Sequence, residues 1–125
     1  MIINIEGKNS PFSVQRIVLE PFCRYSIRLI ALQARINSYV PAGIYKVCTN
    51  LIERENGNLD RILGYAHLDR KAHMINFTPT QPIWYKLRLV DISMIDIHLQ
   101  AIATDQKLDL SELACQFEII KDERI

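Results

Sequence analysis

The feature that most constrains this chain is a two-residue rhythm of apolar and polar side chains, broken about every 8–12 residues by turn signals. In 95–101 the residues Ile95, Ile97, Leu99 and Ala101 are apolar, while Asp96, His98 and Gln100 are polar. In 113–119, Leu113, Cys115, Phe117 and Ile119 share a face opposite Gln116 and Glu118. Successive side chains of a strand point to opposite sides of a sheet, so period two marks a strand with one dry and one wet face. The turn signals are Gly7 to Pro11, Pro21, Pro41-Ala42-Gly43, Glu55-Asn56-Gly57-Asn58 and Thr78-Pro79-Thr80-Gln81-Pro82.

Upstream the rhythm is noisier. Tyr45, Val47, Thr49 and Leu51 share one face, and Cys23, Tyr25, Ile27, Leu29 and Ala31 lie opposite Arg24, Ser26 and Arg28. Segment 24–36 carries a second signal, because Ile27, Ile30, Ala31 and Ala34 fit a helical stripe and Leu32-Gln33-Ala34-Arg35 favours helix. We read a strand ending near Ala31, since Pro21 and the stretch 37–41 leave little room for a packed helix. Further strands are expected over 2–5, 12–19, 61–68, 73–77 and 83–90, and one helical turn within 106–113, capped by Ser111. The pattern predicts an all-β fold: a single jelly-roll β-sandwich of eight or nine antiparallel strands over residues 1–125, with an up-and-down barrel as the rival.

Composition supports one packed domain. The chain has 125 residues, 49% hydrophobic and 23% charged, enough to bury about two thirds of its unfolded surface. No apolar run approaches the roughly 18 residues that span a bilayer. The opening Met1-Ile2-Ile3-Asn4-Ile5-Glu6-Gly7-Lys8 lacks the features of a signal peptide. Cys23, Cys48 and Cys115 are odd in number and far apart, so we expect three small buried hydrophobes and a reducing compartment rather than disulfides or a zinc site. The sequon Asn76-Phe77-Thr78 is read as chance.

Net charge is +1, too small for a purely electrostatic nucleic-acid binder. Its distribution is uneven: residues 1–88 hold twelve Lys/Arg against six Asp/Glu, and residues 89–125 hold three against eight. Either a basic face meets an acidic face of a neighbouring copy, or the two portions interleave within one fold.

Little in the sequence points to catalysis. The imidazoles are His67, His73 and His98. His67 and Asp69 would share a strand face as an orienting pair, although such pairs are usually solvated contacts. His98 is expected on a polar surface. Glu53 and Glu55 flank Arg54 before a turn, where carboxylates usually solubilise. There is no H-E-x-x-H, no Cys/His cluster, no G-x-S-x-G and no glycine-rich phosphate loop. We expect no enzyme activity, no cofactor and no metal. In Trp84-Tyr85-Lys86-Leu87-Arg88, a strand would project Trp84, Lys86 and Arg88 together, with Tyr85, Leu87 and Leu89 on the other side. A tryptophan among basic residues suits a nucleic-acid surface or a subunit contact. We read Trp84, Lys86 and Arg88 as a subunit interface over an apolar core face.

The run Pro82-Ile83-Trp84-Tyr85-Lys86-Leu87 is followed by Ile92-Ser93-Met94-Ile95-Asp96-Ile97-His98-Leu99, then Thr104-Asp105-Gln106-Lys107-Leu108-Asp109-Leu110 and Leu113-Ala114-Cys115-Gln116-Phe117-Glu118-Ile119. It resembles the closing strands of single jelly-roll capsid proteins of the adenovirus-type and polinton-like virus lineage, which include penton and minor capsid components. Lys107 stands where that pattern usually has glycine, and we expect none of the second domain of larger penton proteins. The resemblance implies a self-associating structural protein of a virion, a homo-oligomer that also meets other capsid proteins, with no membrane partner. The alternative is a receptor- or carbohydrate-binding β-sandwich of the spike-head or lectin-like kind.

Overall fold

The computed structural model describes residues 1–9, 11–52, 61–69, 71–81, 83–88 and 90–122, leaving aside the side chains of 37–39 and 72. The expected turn at 55–58 and the carboxylates Glu53 and Glu55 lie outside the described residues, as does Leu89. Among those described the fold is all-β, with antiparallel sheets, and no helix is long and apolar enough to cross a membrane. The strands are β1 (Ile2–Lys8), β2 (Phe12–Val18), β3 (Tyr25–Val40), β4 (Gly43–Thr49), β5 (Ile62–Leu68) and β6 (Ala72–Phe77). They continue with β7 (Tyr85–Lys86), β8 (Asp91–Ile95), β9 (Ile97–Ala101), β10 (Lys107–Asp109) and β11 (Glu112–Lys121).

One sheet has the order β1-β11-β3-β6, with β7 also on β3; a second has β10-β9-β4-β5; and β2 pairs with β8. These pairings nest: β1 with β11, β2 with β8, β3 with β6, and β4 with β5. That is the pairing of one long antiparallel ribbon folded back on itself. The ribbon segments are then joined sideways by β11 on β3 and by β9 on β4. Inward-facing residues of the sheets, among them Ile5, Phe12, Ile27, Leu29, Val47, Ile75, Ile97, Leu99 and Phe117, form one buried cluster.

Strand β3 is the part of the fold that the sequence pattern blurs. It continues to Val40 instead of ending near Ala31. Gln116 faces Ala31 while Phe117 faces Leu29, so Ile30 is an extra residue on β3, a β-bulge. The bulge reverses the inward parity: Ile27 and Leu29 are buried before it, and Leu32, Ala34 and Ile36 after it. Because of this offset no single period-two pattern fits the whole segment; the helical stripe Ile27, Ile30, Ala31 and Ala34 is not the buried set, since Ile30 and Ala31 are only partly buried. On β11 the inward set Leu113, Cys115, Phe117 and Ile119 has no offset.

Three other expectations change. Among the described residues there are eleven strands, because Asp96 divides 91–101 into two and the chain near 107 adds another. The helical turn expected in 106–113 is β10, since Leu108 pairs with Leu99. Ser111 does not cap a helix; its amide and hydroxyl both donate to the Arg35 carbonyl, at 2.8 and 3.0 Å. Among the described residues, the strand expected over 83–90 keeps Tyr85 and Lys86; the Leu87 amide still donates to the Tyr25 carbonyl of β3 at 3.0 Å, but Leu87 also bridges Ile52 and the chain then follows the segment after β4.

Two contacts hold the sheets together at this edge. The Tyr85 hydroxyl donates to the Leu63 carbonyl at 3.0 Å. Phe77 of β6 packs over Gly64 of β5 so closely that a Cβ there would meet the ring at 2.7 Å. Gly64→Ala is therefore expected to destabilise by about 1–3 kcal/mol through overpacking. Phe117→Ala, which empties a site only 1% exposed, should cost about 3–5 kcal/mol. Chemical denaturation read by far-UV circular dichroism checks both; a loss under about 0.5 kcal/mol at Phe117, the level of an ordinary surface substitution, would contradict its inward facing.

Candidate functional site

The outward face of the larger sheet is built row by row from the cross-strand register. One row carries Ile2 on β1, Glu118 on β11 and Arg28 on β3. The Arg28 Nε donates to the Glu118 Oε1 at 2.6 Å, with both side chains a little over a quarter exposed. The Arg28 guanidinium carbon lies 5.3 Å from the centroid of the Trp84 ring, inside the range where a cation is attracted to an aromatic face. The next row places Ile120 opposite Ser26, and Ser26 opposite Lys86. Ser26 in turn donates to both carboxylate oxygens of Asp122, at 2.9 and 3.1 Å.

The result is a surface where Ile2, Ile120 and Trp84, each 39–49% exposed, surround an ordered Arg–Glu pair. Trp84 and Lys86 of the predicted interface are together here, both against β3. Arg88 is not. Beyond Leu87, Arg88 is held by the segment following β4: its amide donates to the Leu51 carbonyl at 2.8 Å and its Nε to the Asn50 carbonyl at 3.0 Å. A strand two residues long cannot keep alternate side chains aligned over five positions. Sequence reasoning missed Ile2, Arg28, Glu118 and Ile120, because only the register of β1, β3 and β11 brings them together.

Further along the same face lies a shallow furrow of about 350 Å³ floored by Ala31 and Ala114, with Asn4, Gln33, Asn76 and Gln116 among its lining residues. Small residues on the middle strands leave room, and amide side chains supply donors and acceptors. Gln116 Nε2 already donates to Asn4 Oδ1 at 3.0 Å.

The remaining chemistry-bearing residues are dispersed. His67 Nδ1 is 3.2 Å from Asp69 Oδ1, but both side chains are more than two thirds exposed, so water screens the pair. His73 is half-buried on β6. His98 corrects the surface assignment: its side chain is 18% exposed, with Nδ1 3.5 Å from Asp96 Oδ2, because Cys48 and Asp109 flank it on β4 and β10. Among the described residues no three His, Cys, Asp or Glu side chains cluster as metal ligands.

Charge is interleaved within the fold. Arg16 pairs with Asp91, Arg28 with Glu118, Arg35 with Glu112 and Glu20 with Lys121, each joining the basic portion to the acidic one. Hydrogen bonds from Arg16 hold the Asp91 carboxyl below its ordinary range, and Lys121 does the same for Glu20. Cys48 and Cys115 are buried as expected, but Cys23 is half-buried in the turn before β3, with Sγ 3.6 Å from Glu20 Oε2.

No family model matches the chain, and the searches of curated proteins and of solved structures found no match to it.

Burial pushes the Cys115 thiol up to about 12. Between its ordinary value of 9.0 and that value the unfolded chain loses this proton and the native chain keeps it, so its contribution to stability falls as pH rises through that window. Iodoacetamide at about pH 8, near the ordinary thiol value, should leave Cys115 unlabelled in the native protein and label it after denaturation, as read by peptide mass spectrometry. A double-mutant cycle of Arg28→Ala and Glu118→Ala should give a coupling of about 0.5–1 kcal/mol, the upper part of the range for partly solvated pairs.

Proposed function

We propose that this chain is a self-associating structural protein built as a single jelly roll, resembling a minor capsid or penton component of the adenovirus-type and polinton-like lineage. The nested strand pairing supports the jelly-roll reading, because rolling one long antiparallel ribbon gives that pair of sheets. Here β8 and β9 act as one interrupted strand, while β7 and β10 are additions to the ribbon.

The observation that carries self-association is the outward face around Arg28 and Glu118. Ile2, Ile120 and Trp84 leave apolar area in water around an Arg28–Glu118 pair that is satisfied within the chain. Covering that area with another copy gains the hydrophobic term, and Arg28 and Glu118 keep each other as partners. The reading places the protein in a virion, assembled in a reducing compartment and in contact with further copies and other capsid proteins.

One observation favours the alternative, a receptor- or carbohydrate-binding sandwich: the furrow walled by Asn4, Gln33, Asn76 and Gln116. Amide side chains on a rigid sheet suit the hydroxyl pattern of a glycan.

Static light scattering separates the two. Under the structural reading the weight-average mass climbs with protein concentration to a closed ring or shell. Trp84→Ala, with Ile120→Ser, shifts the midpoint to higher concentration. Because the ion pairs are satisfied within the chain, raising salt from roughly 0.1 to 1 M, where the Debye length shrinks from about 10 to 3 Å, should change the midpoint by less than about tenfold. A monomer at every concentration, with a signal on a glycan array lost in Gln33→Ala, would replace this reading with the alternative.

A further inference from the structure

Two features at opposite ends of β3 remain without a partner in the fold. The first is Phe22, in the turn between β2 and β3, which is 93% exposed. Its backbone has φ 63°, and Pro21 precedes it. A proline followed by a residue of positive φ has the form of a type II turn, whose third position glycine fills without strain. A bulky side chain there is an outlier, and its apolar ring gains nothing from the chain's own core. The second is a mostly apolar pocket of about 420 Å³ where β3 ends and β4 begins, lined by residues that include Val40, Pro41, Tyr45, Ala101, Ile102 and Leu108. Sixteen residues of strand separate the two by roughly 50 Å at about 3.3 Å per residue, so Phe22 cannot reach the pocket of its own chain.

We infer that Phe22 of one copy inserts into the Val40–Leu108 pocket of the next, making a head-to-tail contact between copies. The charges agree with this pairing. Arg24, two residues from Phe22, and Asp105, between the pocket residues Thr104 and Gln106, are both exposed. Neither forms an ion pair among the described residues, whereas the neighbours of each are occupied: Lys121 with Glu20, and Lys107 with Asp109. Seating Phe22 brings a free cation towards a free anion. The contact joins two different patches, so it repeats from copy to copy and produces a ring or an open filament, whereas a two-fold dimer would use one patch twice. The inference rests on the self-association proposed above and names one contact that drives it.

The test uses the full chain and two variants. Phe22→Gly removes the ring and relaxes the turn. It should raise the thermal midpoint of the monomer while weakening association by about 10- to 100-fold, the factor expected from exposing one phenylalanine. Ala103→Arg puts a charge at the exposed lip of the pocket and should weaken association equally, with the circular dichroism spectrum unchanged. In analytical ultracentrifugation each variant alone should associate only at a concentration about 10- to 100-fold above that of the wild-type chain. Mixed in equal amounts they should form dimers at a lower concentration than either variant alone, because one supplies Phe22 and the other an open pocket. If the wild-type chain assembles and Phe22→Gly assembles equally well, the Phe22 contact is refuted and self-association stands. If the wild-type chain is monomeric up to its solubility limit, both are refuted.

Discussion

The structure depends on the pairing of β3 with β11. β3 is the longest strand, and it lies inside its sheet with β11 on one side and β6 and β7 on the other. Ten residues of β11 lie in register with it, fixing which side chains enter the core and which meet outside. Inside, Phe117 opposes Leu29 and Ile119 opposes Ile27; outside, Glu118 opposes Arg28 and Glu112 opposes Arg35. A slip of β11 by one residue would turn its two faces over, burying Glu118 away from Arg28 and exposing Phe117. The cost of burying charge therefore holds the register as firmly as the apolar contacts do. The bulge at Ile30 allows so long a strand to change parity midway and still bury apolar residues on both sides of the offset.

From that register follows the character of the outer surface. The ion pairs tie the first and last portions of the chain to each other, because an antiparallel ribbon places distant segments side by side. The surface beside them keeps the exposed apolar side chains Ile2, Trp84 and Ile120. Around Trp84 the cation of Arg28 is already neutralised by Glu118, so a neighbour could approach that ring at small electrostatic cost. At the two ends of β3 the balance differs: Arg24 at one and Asp105 near the other form no ion pair among the described residues, and each lies beside an apolar feature.

Function on this reading needs no reacting group. His67 with Asp69 and His98 with Asp96 are pairs on separate strands, one in solvent and one enclosed between neighbouring strands. What the fold does provide is rigid presentation of surfaces: a sheet face, a furrow with amide walls, a knob and a hollow, each supported on paired strands.

Much of the strand content was legible in the sequence, because alternation is a local property. Leu113, Cys115, Phe117 and Ile119, and likewise Ile95, Ile97 and Leu99, announce their facing with no reference to any neighbour. The inward facing of Tyr45 and Val47 was equally readable. Segment 24–40 was ambiguous because a bulge is specified by the partner strand: nothing within Ile27–Ala34 tells that Gln116 and Phe117 straddle Ile30. The two-residue β7 and the departure of Arg88 have the same origin, since a strand ends where its partner's hydrogen bonds end. Local pattern determined that the chain folds as sheets and which faces are apolar. Register, which matches residues a hundred positions apart, was decided only in the tertiary structure, where burying one apolar set and solvating its charged counterpart permits a single alignment.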